Sequence, residues 1–167
     1  MNYRTPSEIM TAAADVLASV APDERPPESV RSEGVGPRAI KVAAGGVVAA
    51  AASAARADLS ELGGPDGGRL AIIAPDARIA ALADAIGEAT PGDRPESLDA
   101  VAALLTVSQA KGLEFDRVVL ADPAGIIAQS PNGGHDLYVA ITRATHRLTV
   151  IHEGDLPATL SSLTPAA

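Results

Sequence analysis

Apolar positions follow two alternating patterns along the chain. Four segments place apolar residues at the spacing of one helical face, which predicts helices over 5–20, 45–62, 76–88 and 133–146. Five short apolar runs lie between or after them and predict strands over 38–44, 69–75, 103–109, 116–122 and 147–153. Thr5 or Ser7 could cap the first helix, and Asp76 is the predicted N-cap of the third.

The alternation of strand and helix predicts an α/β fold, with a mainly parallel sheet covered by helices on both sides. Ligands of such folds bind at the carboxyl ends of the strands. The stretch "SQAKGLEF", residues 108–115, directly follows a predicted strand, so its polar groups are expected to line that edge. Residues 21–37 are rich in proline, glycine and charge and are predicted to form a surface loop.

Composition narrows the classes of function. The 167 residues suit one domain, 47% of them are hydrophobic, and no apolar run is long enough to span a membrane. The start of the chain does not resemble a signal peptide, so a cytoplasmic protein is expected. Cysteine is absent, and the His135–Asp136 pair is typical of a helix start, so we assign no metal site.

The charge of the chain limits its contact with nucleic acid. The formal net charge is −8 and aromatic residues make up only 2%, with one Phe and no Trp. Binding of nucleic acid through the whole surface would require a basic protein, and base stacking would require aromatic side chains. Any such binding must therefore be local, shared with another domain, or absent.

Three motifs in a fixed order resemble one family. "NYRTPSEIM" (2–10), "TVSQAKGLEFDRVVL" (106–120) and "LYVAITRATHRLTVI" (137–151) are similar to motifs IV, V and VI of the UvrD/Rep (superfamily 1) helicases. The resemblance implies that residues 1–167 form the second of two RecA-like domains, with a three-layer fold, in a larger ATPase.

The resemblance implies a role for several residues at an ATP site. Arg143 matches the arginine finger of motif VI, and Arg4 matches the motif IV arginine that reaches the γ-phosphate. Tyr3, Gly112 and Glu114 match nucleotide-binding positions, with Glu114 near the ribose. Taken alone, the arginines could instead be surface residues in weak ion pairs, and Glu114 could stabilise the first turn of a helix.

A second set of residues matches the strand end that couples nucleic acid to ATP in these helicases: Thr106, Ser108 and Gln109. Helicases often carry histidine at the position of Gln109, and this departure weakens the case for tight coupling to DNA.

The chain has no G-x-x-x-x-G-K-[ST] sequence, so it lacks the loop that binds phosphates. By the resemblance, ATP and Mg²⁺ are bound mainly by the first RecA-like domain, which is a partner of this one. The chain is then half of an ATP hydrolase and is expected to be inactive alone.

The segment between the third helix and motif V is too short for the duplex-engaging domain of UvrD-type helicases. This resembles the HelD-like ATPases, which release RNA polymerase from nucleic acid. Two alternatives remain: a UvrD-like DNA helicase or repair helicase-nuclease that binds single strands, and a non-catalytic scaffold.

Overall fold

A parallel β-sheet forms the centre of the computed structural model, which describes residues 5–29, 31–32 and 36–165. Seven strands within these residues pair in the order β3-β4-β2-β5-β6-β1-β7, and every pairing is parallel. The strands are β1 (Arg38–Val42), β2 (Leu70–Ile73), β3 (Thr90–Pro91), β4 (Ala102–Leu105), β5 (Phe115–Ala121), β6 (Ala144–Glu153) and β7 (Thr164–Pro165).

Helices cover both faces of the sheet. They are α1 (Ser7–Val20), α2 (Val47–Leu62), α3 (Ile79–Ala85), α4 (Val107–Ala110), α5 (Pro123–Ala128) and α6 (Gly133–Ile141). Residues of α1, α4, α5 and α6 share one hydrophobic core with the sheet, and residues of α2 and α3 share the other. This three-layer arrangement confirms the predicted α/β class and the mainly parallel sheet.

The central strands are buried on both faces, as their continuous apolar runs predict. All four residues of β2 are fully buried. Leu70 and Ile72 pack in the core with α2, whereas Ala71 and Ile73 pack in the core with α1 and α6. Because successive side chains of a strand point to opposite faces, one short run supplies both cores.

The predicted strands are all present, but several boundaries differ. The strand predicted over 103–109 ends at Leu105, and helix α4 begins two residues later, at Val107. The last predicted helix ends at Ile141 instead of 146, because β6 already begins at Ala144. The short strands β3 and β7 and the short helices α4 and α5 were not predicted.

Two helices start without the side-chain caps that the sequence predicted. Pro6 and Pro75 occupy the cap positions of α1 and of a 3₁₀ turn over 76–78, and neither start has a side-chain cap bond. The N–H of Ser7 instead donates to the carbonyl of Arg31, at 2.7 Å, in the loop predicted over 21–37. The predicted Asp76 cap is wrong because Asp76 lies inside the turn, where its N–H donates to Gln129.

Candidate functional site

Two connections meet at the amino edge of the sheet. The loop over 111–114 leads into β5, and the turn over 142–143 leads into β6. These strands are neighbours, with Phe115 opposite Ala144, and the N–H of Phe115 donates to the carbonyl of Arg143 at 2.9 Å. The sheet thus brings Glu114 and Arg143, which are 29 positions apart in the sequence, to the same place.

Arg143 is held firmly in this place. Its Nε donates to the carbonyl of Val139 at 3.1 Å, its Nη1 to the carbonyl of Leu113 at 3.0 Å and its Nη2 to the Thr142 hydroxyl at 3.2 Å. The last carbonyls of a helix lack intrahelical partners and attract cations, which explains the contact with Val139 in the last turn of α6. The guanidinium therefore joins the end of α6 to the loop before β5.

The start of the chain reaches the same turn. Thr5, which is 2% exposed, makes a long hydrogen bond of 3.5 Å to the carbonyl of Thr142. Residues from the segments that resemble motifs IV, V and VI therefore meet around Thr142 and Arg143. The two motif IV residues singled out from the sequence, Tyr3 and Arg4, lie outside the described residues.

Gly112 and Glu114 lie in the loop that Arg143 contacts. Gly112 has a φ of +79°, a conformation that only glycine adopts without strain, and the space where a Cβ would stand is open. Glu114 is half-buried and immediately precedes β5. The alternative role of Glu114 in the first turn of a helix is wrong, because the segment that follows it is a strand.

Thr106, Ser108 and Gln109 lie at the opposite edge, after the carboxyl end of β4. The expectation that all polar groups of 108–115 line this edge is wrong for Gly112 and Glu114. The chain has to return to the amino edge before parallel strand β5 can begin, so the stretch is divided between the two edges.

A capping box accounts for the hydrogen bonds of two of these residues. The Thr106 hydroxyl accepts the Gln109 N–H at 3.2 Å, and Gln109 Oε1 accepts the Thr106 N–H at 3.0 Å. Ser108 is exposed. The cap stabilises the start of α4, and Gln109 also lines a cleft.

The cleft beside Gln109 has a volume of about 430 Å³ and more negative than positive groups. Two carboxylates, Asp76 and Asp93, line it together with one guanidinium, Arg94. This balance does not favour the phosphates of a nucleic-acid strand.

A network of charges at the carboxyl edge was missed in the sequence. Arg78 binds Asp122 at 2.9 Å and Glu153 at 3.5 Å, and the hydrogen bond from Arg78 to Asp122 is the main reason that the pKa of Arg78 is raised. Asp122 has a φ of 60° and is the N-cap of α5, where its side chain accepts the N–H of Gly125. The network ties together the turn that follows β2, the residue that follows β5 and the last residue of β6.

A second network lies at the amino edge on the α2 face. Arg117 of β5 donates to Asp58 at 2.9 Å and also contacts Glu61. Burial raises the pKa of Asp58 while Arg117 opposes that rise, whereas the hydrogen bond from Arg117 lowers the pKa of the exposed Glu61. Like the first network, it holds elements of the fold together.

Neither a metal centre nor a membrane span is found in the part of the chain that the structure describes. No three metal-binding side chains among these residues are grouped closely enough to hold an ion. No helix among them is long and apolar enough to cross a bilayer.

The architecture is a three-layer α/β domain with a parallel sheet. Part of the chain is also similar to a known protein family, and the whole chain to a solved structure. Residues 101–151, less than half of the chain, match the family "UvrD-like helicase C-terminal domain". The match spans β4 to β6 and includes Thr106, Gly112, Glu114 and Arg143. A comparison with curated proteins found no match.

A solved structure is similar over the whole length. It is the C-terminal domain of a possible DNA helicase from Lactobacillus plantarum WCFS1, with a TM-score of 0.68 and 22% identity over 99% of each chain. This similarity confirms a fold of the RecA-like type found in helicase C-terminal domains.

Some residues of the site could not be recognised in the sequence. The contacts of Arg143 are two backbone carbonyls and the Thr142 hydroxyl, and only the fold shows that Leu113 is near. The position of Thr142 beside Arg143 in "AITRAT" is the one sequence feature that could have pointed to it.

Proposed function

We propose that this chain is the second half of the ATP site of a UvrD-like motor and that Arg143 supplies positive charge to ATP bound on a separate P-loop domain. The observation that carries the proposal is the anchored guanidinium of Arg143, placed beside Glu114 where the three motif segments meet.

The geometry of Arg143 suits a group that acts on phosphate. A guanidinium has five N–H donors. Three of them bind Val139, Leu113 and Thr142, and the other two, one on each Nη, have no partner among the described residues. A cation that is already fixed in place stabilises the charge of a transition state without first having to reorganise.

Nucleotide and metal would be shared with the partner domain. Glu114 and the open space beside Gly112 are the groups of this chain that we assign to the nucleotide, together with Tyr3 and Arg4 from motif IV. Mg²⁺ assists phosphoryl transfer by neutralising charge on the phosphates, and its ligands belong to the P-loop domain in this proposal.

Reconstitution tests the half-site directly. The P-loop domain of the parent protein is assayed for ATP hydrolysis with and without this chain, and with the Arg143→Ala chain. Stimulation by the unaltered chain and loss of stimulation with the variant are expected. Equal rates in all three mixtures would contradict the proposal and favour the scaffold alternative.

For the target of the motor we propose RNA polymerase, as in HelD-like ATPases, over duplex DNA. The connection from Ala85 to Ala102 contains only β3 and a 3₁₀ turn, with no inserted domain, and the cleft beside Gln109 is lined by carboxylates. Polymerase subunits that remain with the tagged parent protein after nuclease treatment would support this. Hydrolysis stimulated by DNA, without polymerase, would favour a UvrD-like DNA helicase.

A further inference from the structure

The Thr142 hydroxyl lies between the end of a helix and the Arg143 guanidinium. Thr142 is 8% exposed, so water cannot readily replace its contacts. The hydroxyl lies 3.0 Å from the carbonyls of both Tyr138 and Val139, and it accepts the N–H of Arg143 Nη2 at 3.2 Å. A hydroxyl has one proton to donate and lone pairs to accept with, so it can serve both neighbours at once.

The three anchors of Arg143 differ in kind. Val139 and Leu113 offer backbone carbonyls, which accept from Nε and Nη1 of the guanidinium. Nη2 is fixed by a side chain alone, that of Thr142. Because the guanidinium is planar, bonds to Nε and Nη1 alone still let its plane tilt about the line that joins them, and the bond to Nη2 is the third point that fixes this tilt.

We propose that Thr142 is a positioning residue for Arg143, whose hydroxyl holds Nη2 so that the guanidinium faces ATP in one orientation. This inference rests on the proposed function of Arg143 as a phosphate-stabilising group. Thr142 itself does not touch the nucleotide. Its carbonyl also accepts the bond from Thr5, so the N-terminal segment is attached to the same residue.

Kinetics of the parent ATPase test this role. Thr142→Val keeps the shape of the side chain but removes the hydroxyl, and Thr142→Ser keeps the hydroxyl. We expect kcat to fall about 10-fold to 100-fold in Thr142→Val, as loss of one hydrogen bond to a charged group implies, with little change in KM for ATP. Thr142→Ser should recover most of the rate.

A double variant separates positioning from general stability. If Thr142 acts through Arg143, then Thr142→Val has no further effect on kcat in an Arg143→Ala background. An equal fall of kcat in both backgrounds, or failure of serine to restore it, would overturn the proposal.

A measurement on this chain is independent of hydrolysis. Nitrogen NMR of the 167-residue chain follows the Nη2 signal of Arg143, assigned by its loss in Arg143→Ala. The held Nη2 should rotate slowly in the unaltered chain and in Thr142→Ser, and rapidly in Thr142→Val. Unchanged rotation in Thr142→Val would overturn the proposal.

The two proposals fail differently. If Arg143→Ala does not lower ATP hydrolysis, the proposed role of Arg143 in hydrolysis is wrong. The NMR signal of Nη2 still decides whether Thr142 holds the guanidinium.

Discussion

Removal of Arg117 should destabilise the domain through the buried carboxylate that it leaves behind. The side chains of Arg117 and Asp58 are 13% and 9% exposed, and they join β5 to α2 through a 2.9 Å hydrogen bond. Arg117→Met keeps the aliphatic stem of the side chain and removes the charge. Asp58 then remains in a largely water-free position without its cation.

The expected loss is about 3 kcal/mol in the free energy of unfolding. Breaking a buried ion pair by removing one partner costs roughly 3 to 5 kcal/mol, and the slight exposure of both side chains favours the lower end. Arg56→Met is the matched control, because Arg56 pairs with Glu88 at the surface, where the two side chains are 54% and 47% exposed. An exposed pair contributes about 1 kcal/mol or less.

Urea denaturation of the chain at several pH values measures the loss and its cause. Burial already raises the pKa of Asp58 and Arg117 opposes that rise, so the pKa should rise further in Arg117→Met. A carboxyl with a raised folded-state pKa destabilises the fold when ionised, and that penalty disappears as the pH falls through the folded-state pKa.

The stability difference between variant and unaltered chain should therefore narrow as the pH is lowered from 7. In the unaltered chain Arg117 lowers the pKa of Glu61, so the stabilisation that ionised Glu61 provides is lost as the pH falls. This loss also narrows the difference in stability. A loss no larger than that of Arg56→Met, or a difference that widens in acid, would refute this explanation.

Three further predictions concern the carboxyl edge and the ATP half-site. Thr106→Ala should cost about 1 kcal/mol of unfolding free energy by removing the capping box of α4, while exposed Ser108→Ala should cost almost nothing, both by urea denaturation. Gly125→Ala should destabilise by about 1 to 3 kcal/mol, because its Cβ would stand 2.5 Å from Asp122 Oδ2, whereas Gly87→Ala meets nothing within 4 Å and should be tolerated by the same assay. The purified chain alone should hydrolyse almost no ATP in a phosphate-release assay, since it lacks a phosphate-binding loop, and steady turnover would contradict the half-site.

The sequence predicts the layers of this fold well, because apolar runs and helical spacing depend on burial alone. The apolar runs that contain Leu70 and Val118 form central strands of the sheet, which are buried on both faces. Short elements were missed, since the two-residue strands β3 and β7 and the four-residue helix α4 are too brief to show a period.

The site was predicted only in part, because its contacts cross between elements. The motif resemblance singled out Arg143 and Glu114, and their positions before β6 and β5 place them together. It did not show that Arg143 contacts the carbonyl of Leu113, because these residues are 30 positions apart and meet only in the folded sheet. The spacing of Thr106 and Gln109 is typical of a capping box, but this signal was missed because both residues were assigned to a strand.

The most direct test of the account is the effect of Arg143→Ala on steady-state ATP hydrolysis by the parent protein. Arg147→Ala is the control, because Arg147 is exposed on β6 only four positions away. We predict that Arg143→Ala lowers kcat by roughly 10³-fold or more with little change in KM for ATP, while Arg147→Ala leaves both nearly unchanged. Equal losses in kcat and in affinity, or no loss beyond that of the control, would contradict the role of Arg143 in stabilising the transition state.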